Sequence, residues 1–275
     1  MLALVLLLLP LRVAFVSVGQ GDATLITSPA GKTVLVDGGP PEGARHLASF
    51  VRARTHAPLD LVLLTHRHLD HLGGLSRVIG AVGARLYLDS AFPHPSPAFD
   101  ALMRLLAARH VPVRNATAGR RIDLGGGAEM TLLGPPAPPL LHTRSDVNAN
   151  SVVSRLDYRR ASFLFAGDAE KPTEKWLLDS GGRLRARVLK VAHHGSRYSS
   201  SMRFLRAVAP ETAVICVGAH NDYHHPSPAT IARLRTVGAT VYRTDLDGDV
   251  ELETDGDRIE VHTSAAAGSA LEGRR

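Results

Sequence analysis

Apolar positions follow two patterns along this chain, short continuous runs and segments with helical spacing. Residues 12–18 (RVAFVSV) and 59–65 (LDLVLLT) are short apolar runs, which are typical of buried strands. In residues 42–55 apolar side chains recur every three or four positions, which predicts an amphipathic helix. After an opening meander of three predicted strands, helices and strands alternate through the first half.

The second half repeats this order of elements without repeating the sequence. A predicted hairpin, SVVSRLDY followed by ASFLFAGD, precedes alternating helices and strands that end in DGDRIEVHT. Two halves of this kind predict two similar layers, each a sheet covered by helices, packed sheet against sheet. We therefore expect an α/β fold, an αββα sandwich, over residues 12–263.

Both ends of the chain differ from this pattern. Residues 1–11 (MLALVLLLLPL) are apolar but shorter than the roughly 20 residues that span a bilayer. They also lack the charged start and small-residue cleavage site of a signal peptide. Four leucines before Pro-Leu-Arg favour the end of a longer membrane helix, and a buried strand is the alternative. Residues 264–275 are predicted to be a disordered tail.

The composition narrows the class of protein. Hydrophobic residues make up 44% of the 275 residues and charged residues 21%, which excludes a disordered, collagen-like or polytopic membrane protein. Cys216 is the single cysteine, so an intramolecular disulfide and most cysteine-based zinc sites are excluded. A metal site in this chain must therefore use histidine and carboxylate ligands.

Arginine dominates the positive charge. The formal net charge is +6, and all but four of the 32 basic residues are arginines. Because guanidinium groups pair with phosphate oxygens, this balance favours a polyanionic partner such as nucleic acid. Arginine enrichment from a GC-rich genome is the alternative. Aromatic residues are only 5% of the chain, so we expect contacts to a nucleic-acid backbone rather than a stacking platform.

The strongest chemical signal is the segment His66-Arg67-His68-Leu69-Asp70-His71, which follows a predicted apolar strand. Imidazole and carboxylate groups suit Zn²⁺, Mn²⁺ or Fe²⁺. In an extended segment His66 and His68 project to one side, and a tight turn brings Asp70 and His71 to a second point. The spacing therefore predicts two metal ions, with a solvated histidine-rich loop as the alternative.

Polar residues also follow other predicted strands, where sites gather in α/β proteins. Asp168 follows FLFAG and could bridge two cations about 3.5–4 Å apart, or cap the next helix. His193 and His194 follow LKVA, where a surface turn is the alternative. His225, in the loop after TAVICVG, is a weaker ligand candidate. The proline-rich residues 134–151 form too long a loop to be idle, so we expect a functional loop or lid.

Seven segments together resemble one family. They are, in order, VGQGDA, VDGG, THRHLDHLGGL, NANS, FLFAGDAE, KVAHHGS and YHHP. This set resembles the metallo-β-lactamase superfamily, and more narrowly the C-terminal nuclease-like domain of the ComEC/Rec2 DNA-uptake proteins, over roughly residues 12–262. The resemblance implies a metallo-β-lactamase-like fold and two divalent metal ions, manganese or zinc. It implies that His66 and His68 hold one ion and Asp70 and His71 the other, with Asp168 bridging.

The resemblance also implies roles for residues outside the histidine-rich segment. Asp37 would be a buried aspartate that orients the ligand loop. His225 would be the final metal ligand. His193 would occupy the position of an acid histidine in related RNA-processing nucleases, and it could instead be that ligand.

Three positions depart from the pattern of the family. Asn148 stands where a third histidine ligand is usual, and His142 lies six residues earlier. Ser17 replaces a common aspartate and His224 a common glycine. With Asn148 among its ligands, one metal is expected to be weakly held, in an oxygen-richer site that favours Mn²⁺ over Zn²⁺.

These features predict a metal-dependent phosphodiesterase or nuclease that acts on DNA. His193 or His194 is the candidate general acid, and Lys190 and Arg197 could hold a phosphate. The resemblance implies degradation of the non-imported strand during natural transformation, with single-stranded DNA as substrate. It also implies a membrane-associated monomer on the extracytoplasmic side, next to a membrane channel part of the same or a partner protein.

Two other functions remain open from the sequence. The first is hydrolysis of a small ester, lactone or thioester, or of a cell-envelope phosphodiester, with the same metals. A closed apolar pocket under residues 134–151 would favour a small substrate. The second is a DNA-binding module whose catalytic site has decayed, which the presence of Asn148 in place of a histidine would suit.

Overall fold

The computed structural model describes residues 9–265, and within this range the strands form two mixed sheets. The strands of the first sheet are β1 (Leu11–Phe15), β2 (Thr24–Thr27), β3 (Thr33–Val36), β4 (Leu61–Leu64), β5 (Tyr87–Asp89), β6 (Val113–Asn115), β14 (Val250–Thr254) and β15 (Ile259–Thr263). The strands of the second sheet are β7 (Arg121–Gly125), β8 (Ala128–Leu132), β9 (Ser154–Tyr158), β10 (Ala161–Phe165), β11 (Val188–Lys190), β12 (Thr212–Ile215) and β13 (Thr240–Arg243).

Helices connect many of these strands. They are α1 (Ala44–Arg54), α2 (Leu69–Leu72), α3 (Leu75–Val82), α4 (Pro97–Ala108), α5 (Asp146–Ala149), α6 (Lys171–Asp179), α7 (Met202–Val208), α8 (Pro228–Thr236) and α9 (Thr244–Asp247). The start of α4 follows the usual chemistry of a helix N-terminus. The Ser96 hydroxyl accepts a hydrogen bond from the Phe99 amide at 3.4 Å, and Pro97 occupies the first helical position.

Each sheet is antiparallel on one side and parallel on the other. The first sheet has the order β15-β14-β1-β2-β3-β4-β5-β6, and its pairs are parallel from β3 onward. The second has the order β13-β12-β11-β10-β9-β8-β7, and its pairs are parallel from β13 to β10. The predicted likeness of the two halves is confirmed by this matching arrangement.

Strand β4 explains how the layers form. Its four apolar residues are all buried, and they alternate between two cores. Leu61 and Leu63 lie in the core between the two sheets, whereas Val62 and Leu64 pack with residues of α1, α3 and α4. A third core lies between the second sheet and α6, α7 and α8. The predicted αββα sandwich is confirmed.

The ends of the chain are described only in part. Strand β1 begins at Leu11, one residue inside the apolar segment that the sequence sets apart, and pairs with β14. Residues 1–8 of that segment, and residues 266–275 of the expected tail, lie outside the described residues. Among residues 9–265 every helix is too short or too polar to cross a bilayer.

A substitution at the contact between Phe15 and Phe165 tests how the two sheets pack. Their ring centroids are 6.2 Å apart, with one ring on each sheet. We expect Phe165→Ala to lower the free energy of unfolding by about 3–5 kcal/mol, because it leaves a cavity between the sheets. Urea denaturation measures this change. Val113→Ala, an exposed position on β6, is the control and should change stability by less than about 0.5 kcal/mol.

Candidate metal centre

The carboxyl ends of the parallel strands carry the candidate site. His66 to His71 follow β4, Asp168 follows β10, and His193 and His194 follow β11. Because the two sheets pack face to face, these strand ends meet. His71 Nε2, which follows β4 of the first sheet, lies 3.3 Å from Asp168 Oδ1, which follows β10 of the second sheet.

His66 and His68 form the first part of the cluster. His66 Nε2 lies 3.1 Å from His68 Nδ1 and 3.8 Å from Asp168 Oδ2. Burial, with the neighbouring His71, lowers the pKa of His66 well below its usual value. The imidazole of His66 is therefore neutral at pH 7, the state in which its nitrogen can bind a metal.

Asp37 orients His71. The backbone amide and hydroxyl of Thr65 donate to Asp37 at 2.7 and 2.8 Å, and His71 Nδ1 lies 2.8 Å from Asp37 Oδ2. Since a carboxylate only accepts hydrogen bonds, Nδ1 carries the proton and Nε2 of His71 faces Asp168. Asp37 lies directly after β3 with φ 59°, in the left-handed region that non-glycine residues rarely adopt.

His194 belongs to the same cluster through Asp70. Its Nδ1 lies 2.9 Å from the Cys216 carbonyl oxygen and therefore carries a proton. Its Nε2 lies 3.2 Å from Asp70 Oδ2. Burial alone would lower the pKa of His194, but Asp168 and Asp22 outweigh it and raise the pKa to about 10. The carboxylates thus favour positive charge at this point.

His193 lies beside the cluster and holds a different partner. Its Nε2 is 3.7 Å from Asp168 Oδ2, and its Nδ1 is 3.2 Å from Glu170 Oε1. Arg144 in turn contacts Glu170 at 2.5 Å. His193 and His194 both have φ near 50°, so two consecutive side chains leave the turn in different directions. His193 is 15% exposed and His194 only 2%.

His225 lies beside His193 and His194. Its ring centroid is 5.5 Å from that of His193 and 6.3 Å from that of His194, and its Nδ1 is buried without a hydrogen-bond partner. Asn221 holds its backbone on both sides, accepting from the His225 amide at 2.9 Å and donating to its carbonyl at 2.7 Å. His225 is thus placed near the cluster by a rigid loop.

Asn148 reaches the cavity, whereas His142 does not. Asn148 lies on α5, within the long loop 134–151, and its Oδ1 is buried without a hydrogen-bond partner. It lines the same cavity as His68 and Asp168. His142 is exposed, and its backbone amide donates to Asp146 at 3.1 Å. The loop therefore contributes Asn148 to the site.

The carboxylate of Asp22 is a site residue that the sequence reasoning missed, although it lies in the VGQGDA segment. It is buried, lies 3.3 Å from His194 Nδ1 and 3.7 Å from His71 Nδ1, and forms an ion pair with Lys190. A Cβ on Gly21 would lie 2.2 Å from the Asp70 carbonyl oxygen, so glycine allows this segment to pack against the ligand loop.

Lys190, which we expected to hold a phosphate, instead forms an ion pair with Asp22. Its side chain is 4% exposed, and its ammonium group contacts Asp22 and the Gly167 carbonyl oxygen. It does not line the cavity that contains His193 and Asp168. The reason is geometric: Lys190 is the last residue of β11 and its side chain enters the interior beneath the cluster.

The donor atoms fit divalent metal ions. Three sets of side chains bring ligand atoms within 4.8 Å of one another: His66, His71 and Asp168; Asp70, His71 and His194; and Asp22, Asp37 and His71. His71 Nε2, Asp168 Oδ1 and Asn148 Oδ1 are buried without hydrogen-bond partners, so these atoms are candidates for metal ligands. Imidazole and carboxylate donors suit zinc and manganese.

A cavity of about 1040 Å³ opens onto this cluster. Besides His68, Asp70 and Asp168 it is lined by two arginines and two tyrosines, which are Arg144, Arg197, Tyr198 and Tyr223. The tyrosines are 41% and 68% exposed. We expected contacts to a nucleic-acid backbone rather than a stacking platform, and the fold brings these two tyrosines into one cavity from loops that are 25 residues apart in the sequence.

Comparison with known proteins agrees with this architecture. A family model of the metallo-beta-lactamase superfamily matches residues 16–220. The chain is 26% identical over 258 residues to ComE operon protein 3 of Bacillus subtilis (strain 168), covering 87% of this chain and 32% of that protein. It is 32% identical over 235 residues to competence protein ComA of Neisseria gonorrhoeae, covering 85% and 31%. The chain thus spans about a third of the length of these relatives.

A solved structure shares the fold. The metallo-beta-lactamase fold protein YhfI from Bacillus subtilis superposes with a TM-score of 0.57 at 14% identity, covering 88% of this chain and 99% of that one. Since the family model matches most of the chain and the two flanked sheets agree with it, the chain belongs to the metallo-beta-lactamase superfamily.

Proposed function

We propose that this chain is a metal-dependent phosphodiesterase that cleaves DNA. The observation that carries the proposal is the joint placement of a buried histidine and carboxylate cluster and two arginines in one open cavity. The cluster suits cation-assisted hydrolysis, and arginine side chains suit a phosphate-bearing substrate. A small ester would leave Arg197, which forms no ion pair within the described residues, without an anionic partner in the cavity.

The two ions would be divalent, manganese or zinc, and Asp168 would bridge them. His66 and His68, with Asn148 beside them, would hold one ion. Asp70, His71 and His194 would hold the other. We assign this last place to His194, where the resemblance favoured His225, because His194 Nε2 lies 3.2 Å from Asp70 and its Nδ1 is tied to a backbone carbonyl. The ions would supply Lewis acidity that neutralises charge developing on the phosphoryl oxygens.

His193 would act as the general acid. Its Nδ1 faces Glu170, which would hold the ring in place, and its Nε2 points toward the Asp168 side of the cavity. From Nε2 it would donate a proton to the leaving 3′ oxygen. His194 is less suited to this role because both of its ring nitrogens already have partners. Arg197 would contact a phosphate, and Lys190 would instead balance the buried charge of Asp22.

The names of the relatives support a biological setting. Two of them carry competence in their name or belong to a ComE operon, which supports a role in DNA uptake. We propose that the chain degrades the strand that is not imported during natural transformation. It would work as a monomer at the extracytoplasmic side of the cell membrane, beside a channel part of the same or a partner protein.

The first test removes the carboxylates. Asp70→Asn combined with Asp168→Asn should abolish cleavage of a single-stranded oligonucleotide in Mn²⁺ or Zn²⁺ and lower the metal content, because both ions lose a charged ligand. The fold should persist, since these groups lie at strand ends rather than in the apolar cores. Oligonucleotide cleavage and metal analysis measure the two effects. Asp100→Asn, an exposed carboxylate on α4, is the control, and residual cleavage by the double variant would contradict a two-ion mechanism.

The second test separates His194 from His225. His194→Ala should lose one bound metal per chain, because a nitrogen ligand beside Asp70 is removed. His225→Ala should keep both ions, since His225 belongs to none of the three sets of side chains whose ligand atoms lie within 4.8 Å of one another. Metal content after dialysis, measured by elemental analysis, decides between them. The reverse pattern would give the ligand role to His225.

The third test concerns the proton on His193. His193→Ala should lower the rate of DNA cleavage roughly 10²–10⁴-fold while the metal content stays unchanged. On a nitrophenyl phosphodiester the same variant should keep most of its activity, because nitrophenolate leaves without a proton. Steady-state kinetics on both substrates give this comparison. Equal losses on both, together with lost metal, would make His193 a ligand.

A further inference from the structure

Tyr223 is an exposed aromatic residue that contacts His225, and His225 contacts His193, the proposed general acid. The centroid of the Tyr223 ring lies 5.7 Å from that of His225, with an interplanar angle of 23°, so the two rings are stacked. The His225 ring in turn meets the His193 ring at 5.5 Å and 78°. The three rings lead from the edge of the metal cluster to the mouth of the cavity.

We propose that Tyr223 stacks against an unpaired nucleobase of the substrate next to the phosphate that is cleaved. This inference rests on the proposed nuclease function and adds a base-binding subsite to it. Single-stranded DNA would then be held through a base as well as through its phosphates. His225 would brace the platform from behind rather than bind a metal.

The environment of Tyr223 supports a ligand-binding role. The side chain is 68% exposed, although exposing a large aromatic ring to water is unfavourable. The loop beneath it is already ordered, because Asn221 holds the backbone of His225 through two hydrogen bonds. A rigid ring that is presented to solvent before the ligand arrives loses little entropy on binding.

The other side of the cavity supplies charge for the phosphates. The guanidinium carbons of Arg144 and Arg197 lie 4.1 and 5.6 Å from the centroid of the Tyr198 ring. Arg144 is paired with Glu170, whereas Arg197 is exposed and forms no ion pair with any residue of the described part of the chain. Arg197 is therefore the cation that remains available to a phosphate oxygen.

This arrangement suits a single strand better than a duplex. In a duplex each base is paired and stacked on its neighbours, so its face cannot reach a protein ring without unstacking. A single strand offers free base faces, and an aromatic ring beside a cation is the usual way in which proteins bind it. A small aromatic ester could also stack on Tyr223, but it would leave Arg197 without a partner.

The test measures binding without catalysis. A fluorescent oligothymidine is titrated in excess chelator, and its affinity is read by fluorescence anisotropy. We expect Tyr223→Ala to weaken binding roughly 5- to 150-fold, the range for one lost stacked base. Tyr223→Phe keeps the ring and should restore most of the affinity. Leu246→Ala, at an exposed position on α9 away from the cavity, should have no effect.

An abasic strand supplies the second arm. It has the same phosphates but no bases, so Tyr223→Ala should hardly change its affinity. The salt dependence gives a third arm: Arg197→Ala should flatten the plot of log K against log salt by about 0.7, the value for one phosphate contact on a single strand. Tyr223→Ala should shift that plot without changing its slope.

The outcomes separate the two proposals. Cleavage of DNA by the wild-type protein, with equal effects of Tyr223→Ala on the normal and abasic strands, would overturn the stacking subsite and leave the nuclease in place. Hydrolysis of a nitrophenyl ester by a wild-type protein that neither binds nor cleaves DNA would overturn both. A Tyr223→Ala defect on duplex DNA as large as that on single strands would also overturn the subsite.

Discussion

The hydrogen bond between Asp37 and His71 fixes the geometry on which the cluster depends. Asp37 accepts hydrogen bonds from the amide and the hydroxyl of Thr65 at the end of β4, and it holds the Nδ1 side of His71. The Nε2 atom of His71 therefore lies 3.3 Å from Asp168 Oδ1 on the opposite sheet. Buried carboxylates are costly unless positive charge lies close to them. Lys190 neutralises Asp22 from below, and the imidazoles hold the pKa of Asp168 well below its usual value despite its burial. The remaining negative charge makes the site a receptor for cations, which would bind in competition with protons on the histidines.

Several parts of this molecule could be predicted from the sequence because they depend on local patterns. The order of elements in the two halves, strands first and then alternating helices and strands, predicts two layers, and the wholly apolar β4 predicts a strand that is buried on both faces. The spacing of His66 to His71 places four candidate ligands at one strand end.

Other parts depend on distances between segments far apart in the chain. The pairing of Lys190 with Asp22 spans 168 residues, and a periodic pattern contains no information about it. The proposed choice of His194 over His225 as a metal ligand also rests on the three-dimensional arrangement, since both residues follow apolar strands of the same sheet.

The turn after β11 shows why two adjacent histidines need not share a role. Left-handed backbone at His193 and His194 is of order 1–3 kcal/mol unfavourable for each residue, and such strain persists only where the surrounding structure enforces it. Here it lets His194 enter the buried cluster while His193 stays at the cavity wall against Glu170. An ordinary extended strand would also separate the two side chains, but it would send one of them to the opposite face of the sheet. The strained turn keeps both at the same end of the molecule.

Burial decreases in steps from the cluster to the mouth of the cavity, and residues at each depth have a different proposed role. His66 and His71 are fully buried, where charge interactions are strong. His193 lies at the boundary, 15% exposed, where the proposed general acid would meet both the substrate and solvent. Tyr223 and Arg197 are exposed, where, under the proposed function, a flat ring and a guanidinium group would meet a flexible strand before it reaches the cluster. A long polymer benefits from such an order, because its outer contacts position the phosphate for the inner ones. The same cluster behind a closed apolar wall would select a small substrate instead.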